Sequence, residues 1–202
     1  MNEETADDRE ISGRATDGPA AGARAAGPAV EPAAEPAAER AVERARQLFL
    51  DERHVHGCAE ATFVVLKEAF GLPDSADSSA AMALNGGIAY SGGTCGAITG
   101  AAMALGMLAE RRLPEHRVAK RAARLLTARL MDEFQREHGA LDCRDLIGID
   151  LRTDDGHRAF IASGIWRDRC LRQVELSVRR LAPLADEEAW RQALREARKP
   201  RT

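Results

Sequence analysis

Four cysteines are the residues of this sequence best suited to chemistry: Cys58, Cys95, Cys143 and Cys170. They are widely separated, and no pair has the C-x-x-C spacing of zinc ribbons or thioredoxin-type redox motifs. A site that uses them must therefore be assembled by the tertiary fold. Four thiolates form the ligand set of Cys₄ zinc sites and of Fe–S clusters, whereas two neighbouring thiols can cycle between dithiol and disulfide.

Three kinds of site are compatible with these cysteines. The first is a metal or Fe–S centre, held by all four cysteines and used in electron transfer. The second is a thiol–disulfide site in which Cys58 and Cys95 form the catalytic pair. The third is non-enzymatic, with a structural zinc ion that holds a helical interaction module together. The sequence favours the first, identifies no substrate and leaves open whether the protein is an enzyme.

Cys58 and Cys95 each fall in the first turn of a predicted helix. Free backbone N–H groups and the helix dipole stabilise negative charge there, which lowers the pKa of a thiol. The glycine-rich segment 85–94 precedes Cys95, and consecutive N–H groups in such a segment can bind one anion. A flexible connection that needs positive φ angles explains the same glycines equally well.

Several other residues are candidates for contacts around the thiols. His54 and His56 precede Cys58 and could bind a metal or relay a proton, although histidines at a helix end need no such role. Thr94 is the expected N-cap of the helix that begins at Cys95, and Asp145 follows Cys143. The residues that we expect to surround the site are His56, Thr94, Gly96 and Asp145.

Helical periodicity accounts for most of the chain and positions these residues. The predicted helices cover residues 38–54, 58–70, 74–84, 95–112, 114–138, 155–181 and 186–198, with a loop or short turn around Cys143. No segment has the alternation of a convincing strand. The sequence therefore predicts an all-α fold, a compact bundle of about five to six main helices.

The composition predicts how that bundle is divided and packed. Residues 1–38 are rich in Ala, Pro and Glu and are expected to form a disordered tail. Residues 39–183 form the four-cysteine domain, and residues 184–202 add a C-terminal helix or tail. Aromatic residues make up only 4% of the chain, so the core needs close helix packing. A stripe of small residues at Gly96 and Gly100 suits an internal contact, although it could also serve a homo-oligomer.

Charge and hydropathy limit the partners. The net charge is −3 and no basic face is evident, which argues against nucleic acid binding. No apolar run is long enough for membrane insertion, and no export signal is recognisable at the N-terminus. We therefore expect a cytoplasmic protein. In that reducing compartment, cysteines are more often metal ligands or catalytic thiols than structural disulfides.

The order of these motifs resembles a known family. The chain reads HGCAEA at 56–61, CGAITG at 95–100 and CRDLIGID at 143–150, and then has Cys170. This pattern is similar to the C-GCAxxG-C-C family of redox-active four-cysteine proteins. The resemblance implies an all-helical fold, a shared role for the four cysteines, and an oxidoreductase or transporter as partner. Some family members carry a twin-arginine export signal, which this chain lacks.

Overall fold

The computed structural model describes residues 34–53 and 55–199. Most of the predicted tail 1–38, and His54, lie outside these residues. The helices are α1 Ala34–Phe49, α2 Cys58–Ala69, α3 Gly96–Arg112, α4 His116–His138, α5 Cys143–Ile147, α6 Asp154–Ser163, α7 Arg169–Leu181 and α8 Glu187–Ala197. Short 3₁₀ turns cover Ser79–Leu84, Ile165–Arg167 and Ala182–Ala185. The part of the chain that the structure describes contains no strand, so the all-α prediction is confirmed.

Helix α2 lies at the centre of the bundle, packed against α1, α3 and α7. Residues 59–67 are all buried, including the charged Lys67. Lys67 Nζ donates to the carbonyl oxygens of Asp74 at 2.7 Å and Asp77 at 2.5 Å, and lies 4.4 Å from the ring centroid of Phe63. These contacts replace the water that a buried ammonium loses, and they hold the turn after α2 in place.

Helix α3 approaches α2 with no side chain between the two backbones. A Cβ atom at Gly100 would lie only 2.3 Å from the carbonyl oxygen of Ala59. On α3, Ala97, Ala101 and Ala104 are fully buried as well. Such small residues let helix backbones come closer than large side chains allow. The small-residue stripe therefore serves an internal contact, as expected.

Two predicted helices differ from the observed ones. The helix predicted at 155–181 is divided into α6 and α7, because Gly164 adopts a left-handed conformation with φ 64° that ends α6. Trp166 then lies in the connecting 3₁₀ turn rather than on one helix face with Cys170. The helix predicted at 74–84 is only the 3₁₀ turn Ser79–Leu84, preceded by a turn that Lys67 holds. A 3₁₀ turn follows from a segment that is too short to stabilise an α-helix.

The sequence predicts no membrane-spanning segment. None of the helices in the two described ranges combines the length and the apolar character needed to cross a bilayer.

The contact between α2 and α3 predicts opposite effects for two substitutions in the same helix. Gly100→Ala places a methyl group against the Ala59 carbonyl and should lower the free energy of unfolding by about 1–3 kcal/mol. Gly106→Ala is the matched control, because nothing lies within 4 Å of its added Cβ. The control should be neutral or stabilise the protein by up to about 1 kcal/mol. Urea unfolding measures both, and equal midpoints for the two variants would contradict the close approach.

Candidate functional site

Cys58 is the first residue of α2, and side chains hold the backbone around it. Gly57 N donates to Glu60 Oε2 at 3.0 Å, and Ala59 N donates to Asn85 Oδ1 at 3.0 Å. These bonds satisfy N–H groups that the first turn of a helix leaves without intrahelical partners. Gly57 itself has no room for a side chain, since its Cβ would lie 2.3 Å from Asn85 Cγ.

A buried polar network fixes Asn85 beside the thiol. Asn85 Nδ2 donates to Glu60 Oε2 at 2.8 Å, and Ser78 Oγ donates to Glu60 Oε1 at 3.0 Å. Asn85 Oδ1 lies 3.9 Å from Cys58 Sγ and can accept from the protonated thiol. Glu60 is only 6% exposed, so these donors also supply the hydrogen bonds that its carboxylate would otherwise receive from water.

Cys95, and not Thr94, is the N-cap residue of α3, which corrects the expected cap. Thr94 instead forms an isolated antiparallel bridge with Asp142. The backbone hydrogen bonds on either side of this bridge keep Thr94 extended, immediately before the N-cap residue. A cap position for Thr94 would require the helix to begin earlier, at Cys95.

That same pairing brings a third cysteine to the site. Cys95 N donates to Leu141 O at 2.9 Å, and Cys143 N donates to Gly93 O at 2.7 Å. The two short extended segments therefore lie side by side just before α3 and α5. Cys95 and Cys143 become neighbours although many residues separate them in the chain.

Cys58 Sγ lies against the start of α3, one residue from Cys95. A Cβ atom at Gly96 would lie 2.5 Å from Cys58 Sγ, so this position must be glycine for the Cys58 thiol to reach its place. The Cys95 thiol forms a hydrogen bond with the Cys58 sulfur. Cys95 Sγ also lies 3.4 Å from Oε1 of the buried Gln173.

The contact separates the acidities of the two thiols. The hydrogen bond from Cys95, opposed by burial and aided by the N–H groups of Gly86 and Ala59, lowers the pKa of Cys58 to about 7. The same bond, together with burial and the Cys58 charge, raises the pKa of Cys95 well above its usual range. As pH rises through about 7, the pair therefore becomes a Cys58 thiolate and a Cys95 thiol that share one hydrogen bond.

The other two cysteines stay protonated. Burial, followed by the charge on Cys58, raises the pKa of Cys143 to about 12 and moves the pKa of Cys170 in the same direction. All four thiols are free. Cys58 is thus the one cysteine whose surroundings favour the reactive thiolate.

The glycine-rich segment forms a left-handed turn rather than a flexible connection. Residues 86–90 all have positive φ, including Ile88 at 64° and Tyr90 at 58°. Backbone bonds from Gly92 N to Gly86 O at 3.1 Å and from Gly93 N to Gly87 O at 3.2 Å close the turn. This conformation costs about 1–2 kcal/mol per non-glycine residue. It places the Gly86 N–H at the Cys58 sulfur, in keeping with the predicted binding of an anion.

A cavity of about 510 Å³ opens in front of Cys58. Cys143 and Cys170 line the same cavity, whereas Cys95 lies behind Cys58 and does not line it. His56 also lines it, and its buried Nδ1 has no hydrogen-bond partner among the described residues. Asp145 is exposed on α5 and lies outside the cavity.

The cysteines and their described neighbours do not form a compact set of metal ligands. Within residues 34–53 and 55–199, no three Cys, His, Asp or Glu side chains lie close enough together to hold a metal ion. Cys95 also does not line the cavity that the other three cysteines share. These residues therefore do not fit a common Cys₄ centre, and the expected metal or Fe–S centre stays a prediction.

Comparison with known proteins agrees with the motif order. A family model described as "Putative redox-active protein (C_GCAxxG_C_C)" matches residues 56–183, which is more than half of the chain. The chain belongs to this family. The matched stretch of this C_GCAxxG_C_C protein contains all four cysteines and α2 to α7. No curated protein and no solved structure gave a match.

Sequence reasoning missed three polar residues that hold the thiols: Glu60, Asn85 and Gln173. Glu60 had a detectable signal, because it is the third residue of α2, where a glutamate side chain can bond back to the N-cap N–H. Asn85 and Gln173 had none, since each reaches a thiol from a distant part of the chain.

The acidity of Cys58 predicts how its alkylation depends on pH. The rate of reaction with iodoacetamide should rise as pH increases through about 7, because the thiolate is the nucleophile. Cys95→Ala removes the bond that lowers the pKa most, so its midpoint should move upward. Cys95→Ser retains a hydroxyl donor and should shift it less. Peptide mass spectrometry identifies the modified residue, and an unshifted midpoint in Cys95→Ala would contradict the contact.

Proposed function

We propose that this protein carries out thiol–disulfide exchange, with Cys58 as the nucleophile and Cys95 as the resolving thiol. One observation carries the proposal: the acidic Cys58 thiol faces a cavity, and the protonated Cys95 thiol contacts it from behind. A nucleophile must meet the substrate, whereas a resolving thiol needs only to reach the nucleophile. Redox activity in the family is compatible with this division of roles.

The exchange begins at Cys58. Its thiolate attacks one sulfur of a substrate disulfide, so that a bond forms between Cys58 Sγ and that sulfur while the substrate S–S bond breaks. The leaving sulfur departs as a thiolate and takes up a proton. The Gly86 and Ala59 N–H groups stabilise the attacking thiolate before the reaction.

Cys95 completes the reaction. It gives up its proton and attacks Cys58 Sγ, which forms the Cys58–Cys95 disulfide and releases the second substrate thiol. Two electrons and the Cys95 proton have then passed from the protein to the substrate, and the second proton comes from water because Cys58 reacts as a thiolate. Gln173 Oε1 lies 3.4 Å from Cys95 Sγ and can accept the thiol proton whenever that proton is not directed at Cys58, so it orients the Cys95 side chain.

A new cycle requires a dithiol reductant that returns the disulfide to two thiols. We propose that an oxidoreductase or transporter partner supplies or uses these electrons. We also propose that the protein works in a reducing compartment such as the cytoplasm. A homo-oligomer remains a prediction.

A metal centre is the second candidate. Three thiols and the unpartnered His56 Nδ1 line one cavity, and this observation favours it. Their side chains would have to move closer together to hold an ion, because no three of them are near enough as placed. In that case the protein would either carry electrons through iron and sulfur or use zinc to hold a helical interaction module together.

Controlled oxidation of the full chain tests the exchange. After anaerobic purification and reduction, diamide should produce a Cys58–Cys95 disulfide, which peptide mass spectrometry detects. Cys58→Ser and Cys95→Ser should each abolish that linkage. Cys143→Ser and Cys170→Ser are the matched controls and should retain it, because neither thiol takes part in the proposed pair.

Two outcomes would overturn the proposal. The first is a dominant linkage between other cysteines, or none at all. The second is stoichiometric iron or zinc in the anaerobically purified protein that is lost in Cys143→Ser or Cys170→Ser, which would support a metal centre instead.

A further inference from the structure

The cavity in front of Cys58 differs in composition from the rest of the protein. The chain has only eight aromatic residues, and four of them line this cavity: Phe49, Tyr90, Phe160 and Trp166. The rings of Phe49 and Trp166 form an edge-to-face pair with centroids 5.9 Å apart. A ring-lined wall of this kind offers an apolar ligand favourable contacts with the faces and edges of the rings.

The mouth of the cavity is apolar too. Val55 is 53% exposed, Met82 63%, Tyr90 44% and Ile161 55%. All four line the cavity. Its volume of about 510 Å³ falls within the range of about 300–1,000 Å³ that is usual for small-molecule sites. The composition and size therefore favour a small ligand that buries apolar surface.

The charges at the cavity favour an anionic group on that ligand. Arg167 lines the cavity and stacks over the Trp166 ring, with Cζ 4.2 Å from the centroid. None of the carboxylates in the described residues forms an ion pair with it. The neighbouring Asp168 pairs with Arg172 instead.

Among the described residues that line the cavity, the one carboxylate is already hydrogen-bonded. Glu60 accepts hydrogen bonds from Gly57, Ser78 and Asn85. Apart from the Cys58 thiolate itself, the described residues that line the cavity therefore present a cationic group without an ionic partner and no free carboxylate. His56 adds a buried Nδ1 that lacks a partner among the described residues.

From these observations we infer the substrate class: small disulfides that combine a ring-containing apolar body with a carboxylate or similar anion. The ring contacts the aromatic wall, the anion pairs with Arg167, and the disulfide meets Cys58 Sγ. This inference rests on the proposed thiol–disulfide exchange. A disulfide within a folded protein is a poorer fit, because Cys58 is half-buried in the cavity wall.

The reaction of such a substrate is balanced without any further reactant. The Cys58 thiolate displaces one aryl thiolate and forms a mixed disulfide, and Cys95 then displaces the second. The substrate gains two electrons and leaves as two thiolates, for which Cys95 supplies one proton and water any other. The protein keeps the Cys58–Cys95 disulfide, so one turnover can be followed with reduced protein alone.

Four disulfides separate the contribution of the ring from that of the charge. Dithiobis(nitrobenzoate) is aromatic and anionic, dithiodipyridine is aromatic and neutral, dithiodipropionate is aliphatic and anionic, and hydroxyethyl disulfide is aliphatic and neutral. Single-turnover rates of the reduced full chain are divided by the rates of free N-acetylcysteine, which removes intrinsic reactivity. The aromatic compound of each pair should react about tenfold faster than its aliphatic counterpart.

Two variants assign the preference to residues. Arg167→Gln should slow both anionic disulfides by about two- to fivefold and leave the neutral ones unchanged. Arg40→Gln, an exposed arginine on α1 outside the cavity, is the matched control and should change none. Phe160→Leu keeps the site apolar but removes a ring, so it should slow only the aromatic compounds. Circular dichroism checks that each variant is folded.

Equal normalised rates for the four disulfides, or a charge preference that Arg167→Gln leaves intact, would overturn this inference. Faster normalised reduction of insulin than of any small disulfide would overturn it as well, in favour of a protein substrate. Failure of the exchange itself has a different signature, since diamide would then yield no Cys58–Cys95 disulfide.

Discussion

The close approach of α2 and α3 at their N-terminal ends is the constraint on which the rest of the site depends. Gly96 leaves the space that Cys58 Sγ occupies, and Gly100 leaves the space for the Ala59 carbonyl. Glycine in a helix interior costs about 1 kcal/mol relative to alanine, and the packing of the two backbones offsets that cost. Because the first turns meet here, two thiols from different helices come into contact.

That contact makes the four cysteines unequal. Burial alone raises the pKa of a thiol, and it does so for Cys143 and Cys170. The pKa of Cys58 is lowered instead, because its sulfur receives hydrogen bonds from Cys95 and from backbone N–H groups. One anion in a buried cluster also disfavours a second one nearby. A single thiolate with a protonated neighbour is the arrangement that thiol–disulfide exchange requires.

The left-handed turn at 86–90 contributes to the site in two ways. It directs the Gly86 N–H to the Cys58 sulfur, and it carries Tyr90 to the mouth of the cavity. Tyr90 also packs edge-to-face on His157 of α6, with centroids 5.1 Å apart. Three residues of the turn, Ile88, Ala89 and Tyr90, are not glycine and yet have positive φ angles that L-residues rarely adopt. A strained backbone of this kind is retained only where the surrounding contacts hold it in place, and such backbone tends to occur at functional sites.

The sequence by itself determined the all-α class, the family, and the start of α2 and α3 near Cys58 and Cys95, because periodicity and capping depend on residues a few positions apart. It could not reveal the break at Gly164, since a single glycine is tolerated within a helical pattern. Only the tertiary structure decided that Cys95 stands behind Cys58, that Gln173 meets Cys95, and that Trp166 forms part of the cavity wall. Each of these contacts joins residues far apart in the chain, so it depends on how the helices pack and not on local preference.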